Sequence, residues 1–173
     1  MRFSSSHRFG AVFAAILLTT ACGDTGPTEI TGAPQAISSG PVLVECPTAE
    51  TRSVSGTLDL LGGTIRLDGH SLTLPVGALL LPTEFTLTVP ASRFVEVHVT
   101  ANGQHGFEFL ETAAITISYE RCTRNNIAGG GLTAYKIDPA TKALLKHMGG
   151  IDDTLLRRVT FSTDSLSGYA IAQ

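Results

Sequence analysis

The sequence predicts an all-β fold of antiparallel strands, closed as a sandwich or a barrel. Two observations carry this. After Thr51, apolar residues recur at every second position in short runs. The runs are separated by glycine-rich turn dipeptides at intervals too short for βαβ units. Only the stretch after Asp138 has any helical signal.

The first element is a leader. Arg2 and Arg8 give it a basic start, and Ala11 to Leu18 form a short apolar stretch. It is too short to span a bilayer as a mature helix, and no stop-transfer pattern follows. Leu18-Thr19-Thr20-Ala21-Cys22 comes next. Small residues before a cysteine at that point are what a bacterial lipoprotein signal presents. The peptidase needs a small side chain at the scissile position, and the thiol receives the lipid. The rival is an ordinary secretory signal that leaves Cys22 as a plain thiol. The expected organisation is a signal peptide over 1–21, lipid attachment and a flexible tether over 22–50, and a β domain over 51–173. The membrane is then a partner through a lipid anchor at Cys22. Two or more acyl chains anchor stably where one does not. Gly23 follows the cysteine in place of Asp, which under the enteric sorting rule points to the outer rather than the inner membrane.

The tether is read from composition. Gly26-Pro27, Gly32-Ala33-Pro34 and Ser38-Ser39-Gly40-Pro41 occur with few large apolar residues. Such a segment cannot bury enough surface to offset its ordering entropy.

Charge narrows the partners. The chain has 12 Lys+Arg and 15 Asp+Glu, and loss of Arg2 and Arg8 leaves ten bases against fifteen acids. This mild acidity argues against nucleic acid, whose phosphates demand clustered cations. Trp is absent and aromatics are sparse, so stacking platforms for sugars are few.

Of three cysteines, lipidation of Cys22 leaves Cys46 and Cys122. In an oxidising compartment the simplest reading is one disulfide. It would close a loop worth ~4 kcal/mol in the chain-entropy model. The alternatives are two separate buried thiols or a metal pair. Two distant cysteines without a CxxC partner make a poor zinc signature.

The strands follow in order. Val54, Leu58 and Leu60 alternate with polar residues, then Ile65 and Leu67, then Leu72 and Leu74. Phe85, Leu87 and Val89 come next, followed by Val95, Val97 and Val99, which alternate with Glu96, His98 and Thr100. Ile115, Ile117 and Tyr119 form a further run, and Val159 with Phe161 and Tyr169 with Ile171 close the series. Successive strand side chains point to opposite faces, so each run reads as a half-buried strand. Gly62-Gly63, Asp68-Gly69, Asn102-Gly103, Gly129-Gly130-Gly131 and Gly149-Gly150 supply the turns. Asp138-Pro139 followed by Ala140 to Leu145 reads either as a capped short helix or as a turn leading into a strand.

Gly62-Gly63-Thr64-Ile65 with Ser71-Leu72-Thr73-Leu74-Pro75-Val76-Gly77-Ala78-Leu79 resembles the opening of a ZU-five domain, with Val76 in place of a second proline. That family occurs in zonula-occludens proteins, ankyrins and netrin receptors, with related versions in bacterial envelope proteins. Gly106-Phe107-Glu108-Phe109 with Ala114 to Tyr119 resembles its following strands, and Ser165 to Ala172 its closing strand. The resemblance covers residues 51 to 173 and rests on turns and strands, not on chemistry. It implies a β-sandwich used for protein contacts or as a structural module. Some members cut themselves at a His-Phe-Ser triplet. The matching position reads Ser165-Leu166-Ser167, so the serine is present and the histidine is not. The other Phe-Ser pair, Phe161-Ser162, follows Thr160. The domain is expected not to cleave itself.

No catalytic, cofactor or metal residue is picked out. His70, His98, His105 and His147 form no HxH or HExxH spacing. His98 falls on the polar side of its strand and reads as a solvated surface residue. Gly69-His70-Ser71-Leu72-Thr73 lacks the second glycine of a hydrolase elbow and reads as a turn entering a strand. Gly129-Gly130-Gly131 lacks the spacing of a phosphate loop. Asp152-Asp153 reads as a solvated turn, because calcium would need more oxygen ligands. Glu108 and Glu111 could act as an acid-base pair only across a cleft. The alternating strands account for most apolar residues after Thr51, so no obvious apolar cavity is expected. The function expected is non-enzymatic: an envelope lipoprotein presenting an interaction or structural module to another envelope protein. A glycan- or small-ligand-binding sandwich is the alternative, and an enzyme comes third.

Overall fold

Extended backbone places alternate side chains on opposite faces, and the alternating runs become strands for that reason. The computed structural model describes residues 40–123, 127 and 131–173. Cys22, read as the lipid acceptor, the expected leader, most of the expected tether and two of the three glycines at 129–131 lie outside the described residues. In chain order the strands are β1 (Glu45–Thr48), β2 (Arg52–Leu58), β3 (Gly63–Leu67), β4 (His70–Leu74), β5 (Thr83–Val89), β6 (Ser92–Phe94) and β7 (Glu96–Ala101). They continue as β8 (Glu108–Ser118), β9 (Thr133–Ile137), β10 (Leu144–Gly149), β11 (Ile151–Asp153), β12 (Arg158–Ser165) and β13 (Gly168–Ala172). Among the described residues the fold is all-β and every strand pair is antiparallel.

Six strands form one sheet in the order β10-β9-β13-β7-β5-β2, and five form another in the order β11-β12-β8-β4-β3. β1 pairs with β6 in a short ribbon. Both large sheets feed one apolar core. Leu72, Ile115 and Ile117 come from the five-stranded sheet, and Leu87, Val97 and Ile171 from the six-stranded one. Rings meet between the sheets: Phe161 of β12 lies 5.1 Å from Tyr169 of β13, and Phe109 of β8 lies 6.0 Å from Phe85 of β5. Burying each such side chain contributes roughly 1.5–3 kcal/mol.

Two turns explain the register. β3 and β4 are joined by Asp68-Gly69, both at positive φ (51° and 81°), which matches the twist of a two-residue hairpin. At Gly62 (φ 74°) a Cβ would collide with the Leu74 carbonyl oxygen, so the turn after β2 can press against the end of β4 only as glycine.

Strand pairing starts before Thr51, where the alternation begins. Leu43 bridges to Ala172, Val44 donates to the Ile171 carbonyl at 3.0 Å, and Val44 is buried. The ambiguous stretch after Asp138 resolves into a turn followed by β10. The Asp138 carboxylate accepts from the N–H groups of Ala140 (2.9 Å) and Thr141 (2.7 Å), and Lys142 sits at φ 61°. A left-handed residue there ends any helix at one turn.

Cys46 and Cys122 form a disulfide, with Cα atoms 5.4 Å apart. It ties β1 to the segment after β8, and both residues are buried. Arg121 reinforces the link by donating to the Cys46 carbonyl at 2.7 Å and the Pro47 carbonyl at 2.9 Å.

Candidate interaction surface

The registers divide the domain into two ends. Leu58 of β2, Gly63 of β3, Leu74 of β4 and Glu108 of β8 lie at one end. Arg52, His70, Ser118 and the disulfide lie at the other. The first end carries a surface that the alternation did not reveal. The segment Leu79-Leu80-Leu81-Pro82 leaves β4 and enters β5. Leu79 is buried, whereas Leu80 and Leu81 are 78% and 73% exposed. With Phe107 and Leu110 these residues line a groove of about 390 Å³. The expectation of no apolar cavity is therefore corrected. The leucines lie in a turn, outside the period-two runs, so strand counting passed over them.

The surface is continuous with two neighbouring turns. Leu110 donates to the Ala78 carbonyl at 3.1 Å, and Gly77 donates to the Leu60 carbonyl at 2.9 Å. Leu61 and Val76, 74% and 70% exposed, extend the patch. Leu60, expected as an inward strand residue, belongs to this turn and is half exposed. Phe107 forms the floor, edge-on to Phe85 at 5.7 Å. Large exposed apolar patches occur at protein, membrane and ligand contact sites. The signal was in the sequence as Leu60-Leu61 and Leu79-Leu80-Leu81, apolar runs of two and three beside Gly and Pro with no polar partners to alternate with.

The disulfide end holds a smaller polar cleft of about 250 Å³ lined by Arg52, Asp68, His70, Ser118, Glu120 and Arg121. His70 is buried, and its Nδ1 accepts the Ser118 N–H at 3.2 Å. Burial, then the nearby Arg121, bring its pKa down to about 4, with Asp68 opposing and Arg52 adding to the fall. The imidazole is therefore neutral near pH 7 and carries its proton on Nε2. Arg52 is paired with Asp68 at 2.7 Å. The cleft combines two guanidinium groups with two carboxylates and has no activated nucleophile.

Glu96 departs from the sequence reading most. It alternates with valines and was expected on a polar face, yet its side chain is fully buried. The turn between β9 and β10 covers that face. Lys142 Nζ lies 2.8 Å from Glu96 Oε2, and His98 Nε2 lies 3.0 Å from the same oxygen. Burial opposes the charge, but hydrogen bonds from His98, Lys142 and Ser92 outweigh it and hold the carboxyl at about 2. Oε1 has no well-formed hydrogen bond. His98 is thus a partner in a half-buried cluster and not a solvated surface histidine.

The remaining candidates are dispersed. His105 stands edge-on to His98 at 6.4 Å, and His147 lies tilted against Tyr135 at 4.9 Å. Glu108 and Glu111 are exposed on β8. Asp152 is a structural pin, not a solvated turn: it accepts from Tyr119 Oη at 2.6 Å and from the Leu132 N–H at 3.0 Å. Its neighbour Asp153 caps the Leu156 N–H at 2.9 Å. Ser167 is buried, and its Oγ donates to the Ile137 carbonyl at 3.4 Å. Ser165 Oγ lies 3.2 Å from Lys136 Nζ. Among the described residues, no group of three His, Cys, Asp or Glu side chains is placed to hold a metal ion, and no helix is long and apolar enough to cross a membrane. Compared with known proteins, the chain matches no family model and no curated protein.

Proposed function

We propose that this chain is a bacterial envelope lipoprotein, acylated at Cys22, that presents one ZU-five-like β-sandwich as a protein-interaction module. The observation that carries the reading is the exposed leucine surface around the groove of Leu79 to Pro82, Phe107 and Leu110. Exposed Leu80 and Leu81 contribute nothing to the core, so a contact role accounts for them where packing does not. The two antiparallel sheets around one core support the sandwich, and the position of Ser167, bonded to a carbonyl with no histidine two residues before it, supports a domain that stays uncut. The outer membrane is the favoured location, on Gly23 following Cys22.

A second reading has one observation behind it. The polar cleft at Arg52, His70 and Arg121 has the donors for a small polar or glycan ligand.

In-cell photo-crosslinking separates them. A photoreactive side chain at Leu80 should capture a discrete protein, while one at Arg52 should not. Capture of glycan or small molecules at Arg52 alone would favour the second reading. Membrane extraction with intact mass tests the anchor: acyl chains on Cys22 are expected, and a Cys22→Ala chain that still partitions wholly with membranes refutes it.

A further inference from the structure

We infer that the leucine groove docks an apolar peptide segment flanked by lysine or arginine, supplied by another protein. This rests on reading the chain as an interaction module and specifies what that module takes. Three segments build the groove and its margins: 59–63, 75–84 and 101–111. Their acids are Asp59, Glu84, Glu108 and Glu111, and they contain no Lys or Arg. Glu108 is in the groove wall, Glu84 follows the wall residue Thr83, Glu111 follows Leu110, and Asp59 opens the turn that exposes Leu61. An apolar floor with one acid in its wall, and with acids but no Lys or Arg on the segments that flank it, favours a partner with an apolar centre and basic residues at its edges. The volume of about 390 Å³ accommodates a few side chains, as in other small binding clefts.

The same charges disfavour the other occupants. A second copy meeting this face in a symmetric dimer would set the same four acids against themselves. An anionic lipid surface would repel them. The chain also enters the domain at the far end, where Val42 exchanges backbone hydrogen bonds with Gln173 at 3.0 Å in each direction.

The test uses the purified full-length chain and two labelled peptides. Each has the same short Leu/Phe/Val centre, flanked by lysines in one and by glutamates in the other. Fluorescence anisotropy should show the lysine-flanked peptide binding about tenfold tighter at low salt, with the gap closing at high salt. Leu81→Asp should abolish binding of both, and Glu84→Lys with Glu108→Lys should reverse the order. These positions are solvent-facing, and unchanged far-ultraviolet circular dichroism confirms that the variants fold. Equal affinity for the two peptides overturns the charge assignment and leaves the interaction reading standing. Absence of peptide binding, with Leu80 still crosslinking a discrete protein in cells, also overturns this inference alone. Binding only to vesicles, or concentration-dependent dimerisation lost in Leu81→Asp, overturns it in favour of those occupants. Loss of both peptide binding and Leu80 crosslinking removes the inference and the reading together.

Discussion

The backbone N–H of Leu110 donates to the carbonyl of Ala78 at 3.1 Å. That bond joins the turn after β4 to the start of β8, so two segments more than thirty positions apart present their leucines on one surface. It also separates residues that hold the fold from residues that face outward. Leu79, one position past Ala78, is 2% exposed, and its neighbour Leu80 is almost entirely in solvent.

Adjacent leucines should therefore behave differently. Leu79→Ala should cost about 2–5 kcal/mol, the range for a buried leucine that leaves a cavity. Leu80→Ala should change stability by less than about 0.5 kcal/mol. Urea unfolding of the two variants checks this. Equal losses would mean that the exposed leucine is packed after all.

The disulfide should be worth a few kcal/mol. It closes a separation of 76 residues, and replacing Cys46 and Cys122 together by serine should lower unfolding free energy by about 2–5 kcal/mol. The strands should persist, because the core of Leu72, Ile115 and Val97 does not depend on it. Full alkylation of both thiols before any reduction would contradict the pairing.

His70 should make stability fall with acid in one window. Its folded pKa is about 4 and its unfolded value 6.5. Between those values the unfolded chain takes a proton that the folded chain refuses. Stability therefore declines as pH drops from 6.5 to 4 and is insensitive to this group outside that range. The total is about 3 kcal/mol. His70→Gln should flatten this part of the curve. An unchanged slope in that variant would assign the acid sensitivity elsewhere.

Glu96 acts in a lower window and with the usual carboxylate sign. Its pKa falls from 4.5 to about 2 on folding, so its contribution is present above 4.5 and disappears as pH descends toward 2. The cluster is also asymmetric. Lys142 keeps 27% of its side chain exposed, whereas Glu96 keeps none. Lys142→Met leaves a buried carboxylate without its ammonium partner and should cost more than Glu96→Gln, which frees an ammonium able to reach water. Thermal unfolding of both variants at neutral pH gives the order, and a reversed order would refute the argument.

Ser167 should remain an ordinary hydroxyl. Its proton is directed at the Ile137 carbonyl, and no base adjoins it within the Ser165-Leu166-Ser167 run. Aged protein should keep one intact mass. A fragment beginning at Ser167 that disappears in Ser167→Ala would show self-cleavage.

The sequence alone determined eight of the thirteen strands, β2 to β5, β7, β8, β12 and β13, and made Cys46 with Cys122 the simplest disulfide. Period two is a property of extended backbone, so Phe85, Val97 and Ile115 could be assigned inward without knowing what they face. On the expectation that Cys22 carries a lipid, Cys46 and Cys122 were the simplest pair, and the fold places them together. Tertiary structure alone decided which apolar and charged residues break that pattern. Glu96 alternates like a surface residue, but the β9–β10 turn lies over its face and supplies Lys142. Leu80 and Leu81 fall outside the alternation, and the turn that carries them leaves both exposed. Alternation records which side of a strand a residue faces. Whether that side meets water depends on loops distant in sequence, and local periodicity carries no information about where those loops settle.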